Sequence, residues 1–151
     1  MNTAVGRGEE RILVLAPTLA DATLTNSLLA KADFEYKICA DLDELAAELS
    51  RGVAAVVVTE EALRGKIGVL IDALAQQPQW SDVPIVFLSR SGADSPAAVR
   101  AMELLGNVAI LDRPVRIATL LGALKTAIRA RQRQYELRDR IAALHRSEER
   151  F

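Results

Sequence analysis

Five short apolar runs, each followed by a segment of helical periodicity, constrain the fold of this 151-residue chain more than any other feature. RILVLAP (11–17), VAAVVVT (53–59), PIVFLSR (84–90) and VAILD (108–112) are nearly continuous apolar runs, as strands covered on both faces require. YKICA (36–40) alternates in polarity and reads as a strand nearer an edge. A helix is expected over 21–32, with Leu24, Leu28 and Leu29 on one stripe and Asp21 as its N-cap. DLDELAAELSRG (41–52) places Leu42, Leu45, Ala46 and Leu49 at helical spacing, with Gly52 as the stop. A third helix is expected around 67–77. SPAAVRAMELLG (95–106) has Ser95 as cap, Pro96 at the first helical position and Gly106 as terminator. A long helix begins near Arg116. The order predicts an α/β fold, a five-stranded parallel sheet doubly wound by helices on both faces.

In sheets of this kind the functional crevice lies beyond the carboxyl ends of the strands. The residues to read are therefore Ala16 and Pro17, Thr59 and Glu60, Ser89 and Arg90, and Arg113 and Pro114. The rest of the chain narrows the chemistry. Formal net charge is −1, so no global field points to nucleic acid or a membrane surface. No apolar run approaches the roughly 18 residues of a membrane span. The first residues show no export pattern. Cys39 is the single cysteine, which excludes an internal disulfide and suits a reducing, cytoplasmic compartment; in a short strand it reads as a small buried hydrophobe. There is no Gly-rich phosphate loop, no nucleophile with a plausible base and no metal-ligand cluster. A non-enzymatic segment without cofactor is the expectation.

The βα order, the unit lengths and the strand ends over residues 10–128 resemble a response-regulator receiver domain, whose fold is flavodoxin-like. The resemblance implies an acidic, Mg²⁺-binding pair at the end of the first strand and a phospho-accepting aspartate at the end of the third. It also implies Ser or Thr after the fourth strand and Lys-Pro after the fifth. Here the acidic pair falls at Ala16 and Pro17, and the acceptor at Thr59, or at Glu60 one residue on. Ser89 fills the Ser/Thr position, and Arg113 replaces the lysine before Pro114. A hard cation needs carboxylate oxygens, and phosphoryl transfer needs that cation. The reading is a degenerate pseudo-receiver; the alternative is an atypical phospho-accepting receiver. Glu60 reads first as a solvated loop glutamate and second as an imitation of a phosphorylated aspartate. Ser89 is expected to bond loop backbone. Arg113 either pairs with Glu60 or Glu61 across the crevice or points to solvent. Pro114 is a candidate for a cis peptide, and Asp21 is more simply a cap than a metal ligand.

The last helix is expected to run to about Arg146, and its charge differs from that of the rest. Residues 129–151 hold seven arginines and four acidic groups, a formal +3 that leaves −4 for residues 1–128. Its apolar positions include Leu121, Leu124, Ile128, Tyr135, Leu137, Ile141 and Leu144. The last three step at heptad-like spacing, and Arg131 and Gln132 interrupt the seam before them. So narrow a stripe needs a partner, and a parallel second copy is the simplest. His145, the only histidine, lacks the His-Glu pairing of kinase dimerisation helices. The closing RSEERF resembles the opening of a PAS sensor domain. The resulting expectation is a disordered start (1–9), a receiver-like domain (10–128), a coiled-coil signalling helix (129–146) and the start of a PAS domain (147–151). The parent would be a PAS-containing sensor histidine kinase, a homodimer with PAS and kinase modules downstream.

Overall fold

The computed structural model describes residues 7–16, 26–64, 66–90 and 95–149. Five strands, β1 (Ile12–Leu15), β2 (Tyr36–Ile38), β3 (Ala55–Thr59), β4 (Ile85–Ser89) and β5 (Val108–Asp112), form one parallel sheet in the order β2-β1-β3-β4-β5. Five helices accompany them: α1, helical over 26–31, α2 (Leu42–Leu49), α3 (Ile67–Ala75), α4 (Pro96–Leu105) and α5 (Ile117–Glu149). The expected doubly wound flavodoxin-like arrangement is the one observed, and β2, the weakest run, is an edge strand.

The period-2 alternation of the strands sorts the core into two layers. Leu13, Leu15, Val56, Val58, Ile85 and Phe87 face α2, α3 and α4. Ile12, Val14, Val57, Val86 and Leu88 face Leu29 of α1 and Leu120 and Leu124 of α5. Local signals fix the helix ends. Asp41 caps α2 by accepting from Glu44 N–H at 2.8 Å, and Ser95 caps α4 by accepting from Ala98 N–H at 3.1 Å. Gly52 has φ +102° and ends the turn after α2, a conformation that strains any residue with a Cβ. Cys39 is buried, and burial, reinforced by Glu44, pushes its thiol up to about 11. Asp21 and Pro17 lie outside the described residues.

Three expectations change. Residues 7–9, placed with a disordered start, belong to a 3-10 turn (Arg7–Glu10). A Cβ on Gly8 would run into the Arg51 carbonyl, so this turn sits hard against the loop after α2. Secondly, Leu124, Ile128 and Tyr135 do not form a surface stripe for a second copy. Leu124 is fully buried, Ile128 packs on the same core, and Tyr135 is only 5% exposed. Thirdly, α5 leaves its own domain late. Its body-facing positions are Leu120, Leu124, Ile128, Arg131, Tyr135 and Arg138, a helical stripe that runs well past the expected boundary at 128. Leu121 is half-buried, whereas Leu137, Ile141 and Leu144 are exposed on another face. Among the described residues no helix is long and apolar enough to cross a membrane.

Candidate functional site

The crevice at the carboxyl ends of β3, β4 and β5 brings together most of the residues expected there. Thr59 is buried, and its hydroxyl accepts from Ala62 N–H at 3.3 Å, opening the short 3-10 turn Glu61–Leu63. Glu60 is not the solvated loop glutamate expected from the sequence. It is 6% exposed, because its N–H donates to the Leu88 carbonyl and so continues the β3–β4 ladder by one residue. That pulls the side chain inward, where it accepts from Ser89 Oγ at 3.4 Å and from Arg90 N–H at 3.2 Å. The Ser89 hydroxyl thus reaches this carboxylate. A buried carboxylate is costly unless such donors meet its oxygens.

Glu61 is the partner of Arg113. Both of its carboxylate oxygens accept from Arg113 Nη2, at 2.5 and 2.8 Å, and Arg90 stands 4.0 Å away. Burial alone would push the Glu61 carboxyl up. The Arg113 hydrogen bond, its own backbone N–H and Arg90 outweigh this and hold it below its usual range. The Arg113–Pro114 peptide is cis. Beside these groups opens a cleft of about 500 Å³, walled by Leu28, Leu88, Val115, Ile117 and Leu120.

This donor set does not suit Mg²⁺. Ala16 and Pro17 have no side-chain oxygen, Glu60 is committed to Ser89 and Arg90, and Glu61 is forked onto Arg113. No group of three or more His, Cys, Asp or Glu that could hold a metal ion occurs among the described residues.

At the opposite end of the sheet lies a second cluster that the sequence reading missed. Arg131, 4% exposed, donates from Nε to the Val53 carbonyl (3.0 Å), from Nη1 to Ser81 Oγ and Gln134 Oε1 (2.7 Å each), and from Nη2 to Tyr135 Oη (3.1 Å). Its guanidinium lies over the rings of Tyr135 and Trp80, at 4.4 and 5.6 Å. Arg138 covers the same two rings from two turns on and is forked onto Glu9. Gln134 spans the N–H and carbonyl of Asp82. The signal was present in the spacing: 124, 128, 131, 135 and 138 continue the core stripe. An arginine within it was read as a break in the seam.

No family model matches the chain, and no curated protein does. Solved structures do match, receiver domains among them. The signal receiver domain of an HD domain-containing protein from Pseudomonas fluorescens Pf-5 aligns with TM-score 0.68 at 18% identity, over 82% of this chain and 98% of that one. The receiver domain of the sensor histidine kinase PA1611 from Pseudomonas aeruginosa, with magnesium in its active-site cleft, aligns with TM-score 0.67 at 17% identity, over 80% and 98%. Full-length FixJ from B. japonicum gives TM-score 0.65 at 27% identity, over 81% of this chain and 59% of that one. The likeness is one of fold, and the fold is that of CheY-like receivers.

Proposed function

We propose that the chain is a non-catalytic pseudo-receiver, a two-component signalling module that works by conformation rather than by accepting phosphate. The observation that carries this is the state of the β3 end. The acceptor position is Thr59, and the two carboxylates after it are engaged, Glu60 by Ser89 and Arg90 and Glu61 by Arg113. A phosphoryl group arriving there would meet no free carboxylate to accept it and no carboxylate pair to hold Mg²⁺ beside it. Arg113 and Glu61 instead form an ion pair at the edge of the crevice.

The output is α5. Its first half belongs to the domain core, its middle is clamped through Arg131, Tyr135 and Arg138, and its last turns leave the body with Leu137, Ile141 and Leu144 exposed. We assign these three to pairing with a second copy, and the residues from Ser147 on, the first of them still within α5, to the start of a PAS domain in a cytoplasmic sensor histidine kinase. A helix that is part core and part overhang passes on changes of orientation, provided that an input favours one arrangement over another.

Incubation with acetyl phosphate and Mg²⁺, read by intact mass, tests the proposal. No added phosphoryl group is expected. Stable phosphate at residues 59–61 would overturn it and favour an atypical phospho-accepting receiver.

A further inference from the structure

We propose that the crevice beside Thr59 binds an organic anion with an apolar body, of the chemical class of a medium-chain carboxylate. This deepens the pseudo-receiver reading and rests on it, because a site running phosphoryl chemistry would need the same space for metal and phosphate.

The cleft, at about 500 Å³, has the size and one-sided polarity of small-molecule sites, mostly apolar with a few convergent polar groups. One wall is aliphatic: Leu28 from α1, Leu88 from β4, and Ile117 and Leu120 from the start of α5. The other end carries Thr59, Glu61, Arg90 and Arg113. Among the described residues, two guanidiniums against one carboxylate leave that end formally cationic. Arg113 is already oriented by its fork onto Glu61, so its side-chain entropy has been spent before any ligand arrives. Arg90 is 66% exposed and only 4.0 Å from Glu61, a loose contact that an incoming carboxylate can replace. The Thr59 hydroxyl accepts from Ala62 N–H, which leaves its proton for an acceptor in the crevice. Glu60 is not part of the cleft lining; its carboxylate is taken up by Ser89 Oγ, the Arg90 N–H and Arg64.

The apolar wall decides the ligand class. Inorganic phosphate would satisfy the arginines and leave the leucines and Ile117 in water. A neutral lipid would cover the wall and leave the cationic end unanswered. Only a molecule with both parts uses both surfaces. Ile117, 62% exposed at the rim, is what an alkyl or aryl tail would cover.

The test is titration of the whole chain with octanoate, octanamide and inorganic phosphate, followed by calorimetry and amide NMR shifts. Octanoate is expected to saturate, shifting amides around Thr59, Arg113 and Ile117, and to bind about ten-fold or more tightly than octanamide or phosphate. Ile117→Glu, a rim change that leaves the core alone, is expected to weaken octanoate by a similar factor with the unfolding midpoint unchanged. Arg113→Gln should erase the preference for octanoate over octanamide. Equal binding of acid and amide, indifference to Ile117→Glu, or no saturable binding at millimolar octanoate would overturn the proposal. Failure of octanoate without labelling by acetyl phosphate removes this inference alone. Mg²⁺-dependent phosphate binding together with labelling removes the pseudo-receiver reading as well.

Discussion

The Tyr135 hydroxyl bonds both backbone groups of Val53, donating to the carbonyl at 2.8 Å and accepting from the N–H at 3.1 Å, across 82 positions of sequence. One side chain of the long helix thus completes the hydrogen bonding of the residue that leads into β3. Tyr135→Phe keeps the ring packed against Trp80 and orphans the Val53 N–H. A loss of about 1–3 kcal/mol in urea-unfolding stability is expected, with faster amide exchange at Val53. Unchanged exchange there would show that the hydroxyl contributes nothing.

Trp80 is the only tryptophan, and it lies under the guanidiniums of Arg131 and Arg138. Arg131→Ala removes the buried cation and its bonds to the Val53 carbonyl and Ser81. It should cost about 2–4 kcal/mol and move the tryptophan emission to longer wavelength. Glu9→Gln leaves Arg138 over the two rings and removes the partly buried carboxylate that pairs with it. Its cost should be about 1–2 kcal/mol, smaller than that of Arg131→Ala.

The Glu61 carboxyl is held below its ordinary value of 4.5 in the folded protein. Its contribution to stability is therefore fully present above that value, and it is lost as pH falls through the lower, folded pKa. Glu61→Gln should flatten the acid limb of a stability-against-pH curve while leaving the curve's shape above pH 6 unaltered. An acid limb identical to that of the parent chain would exclude the Arg113 pair as a source of acid lability.

Light scattering over a concentration series should give a dimer for the whole chain. A much weaker dimer is expected for a chain ending at Arg138, which keeps the clamp and loses Ile141 and Leu144. Equal masses would remove the exposed stripe from any role in self-association. Ending the chain at Ile128 should also lower the unfolding midpoint, because Arg131 and Tyr135 go with the tail.

The strands and the helix caps were legible because they rest on local rules: continuous apolar runs for β1, β3 and β4, Asp41 and Ser95 at N-caps, and Gly52 and Gly106 at stops. The membership of the crevice was legible too, since a parallel sheet sends every strand end to one side. The state of Glu60 was not. Its burial follows from one extra backbone bond to Leu88, and a glutamate after a strand has the same local sequence whether it faces water or Ser89. The reach of the domain along α5 was misjudged for a related reason. Apolar periodicity cannot see a core position filled by arginine. Arg131 is such a position, with its charge met by Tyr135, Trp80 and backbone carbonyl rather than by an acid.

The two clusters share β3: Val53 enters it within the grip of Tyr135 and Arg131, and Thr59 leaves it at the crevice. Six residues of extended chain, about 20 Å, separate them. Every residue of that stretch is buried, and the strand is paired on both edges, with β1 and with β4. Such a segment has almost no slack, so it behaves as a connecting rod rather than a spring. A push at one end is not absorbed along the way. A ligand that shifts Thr59 lengthwise must either move the anchorage of the long helix or be refused by it.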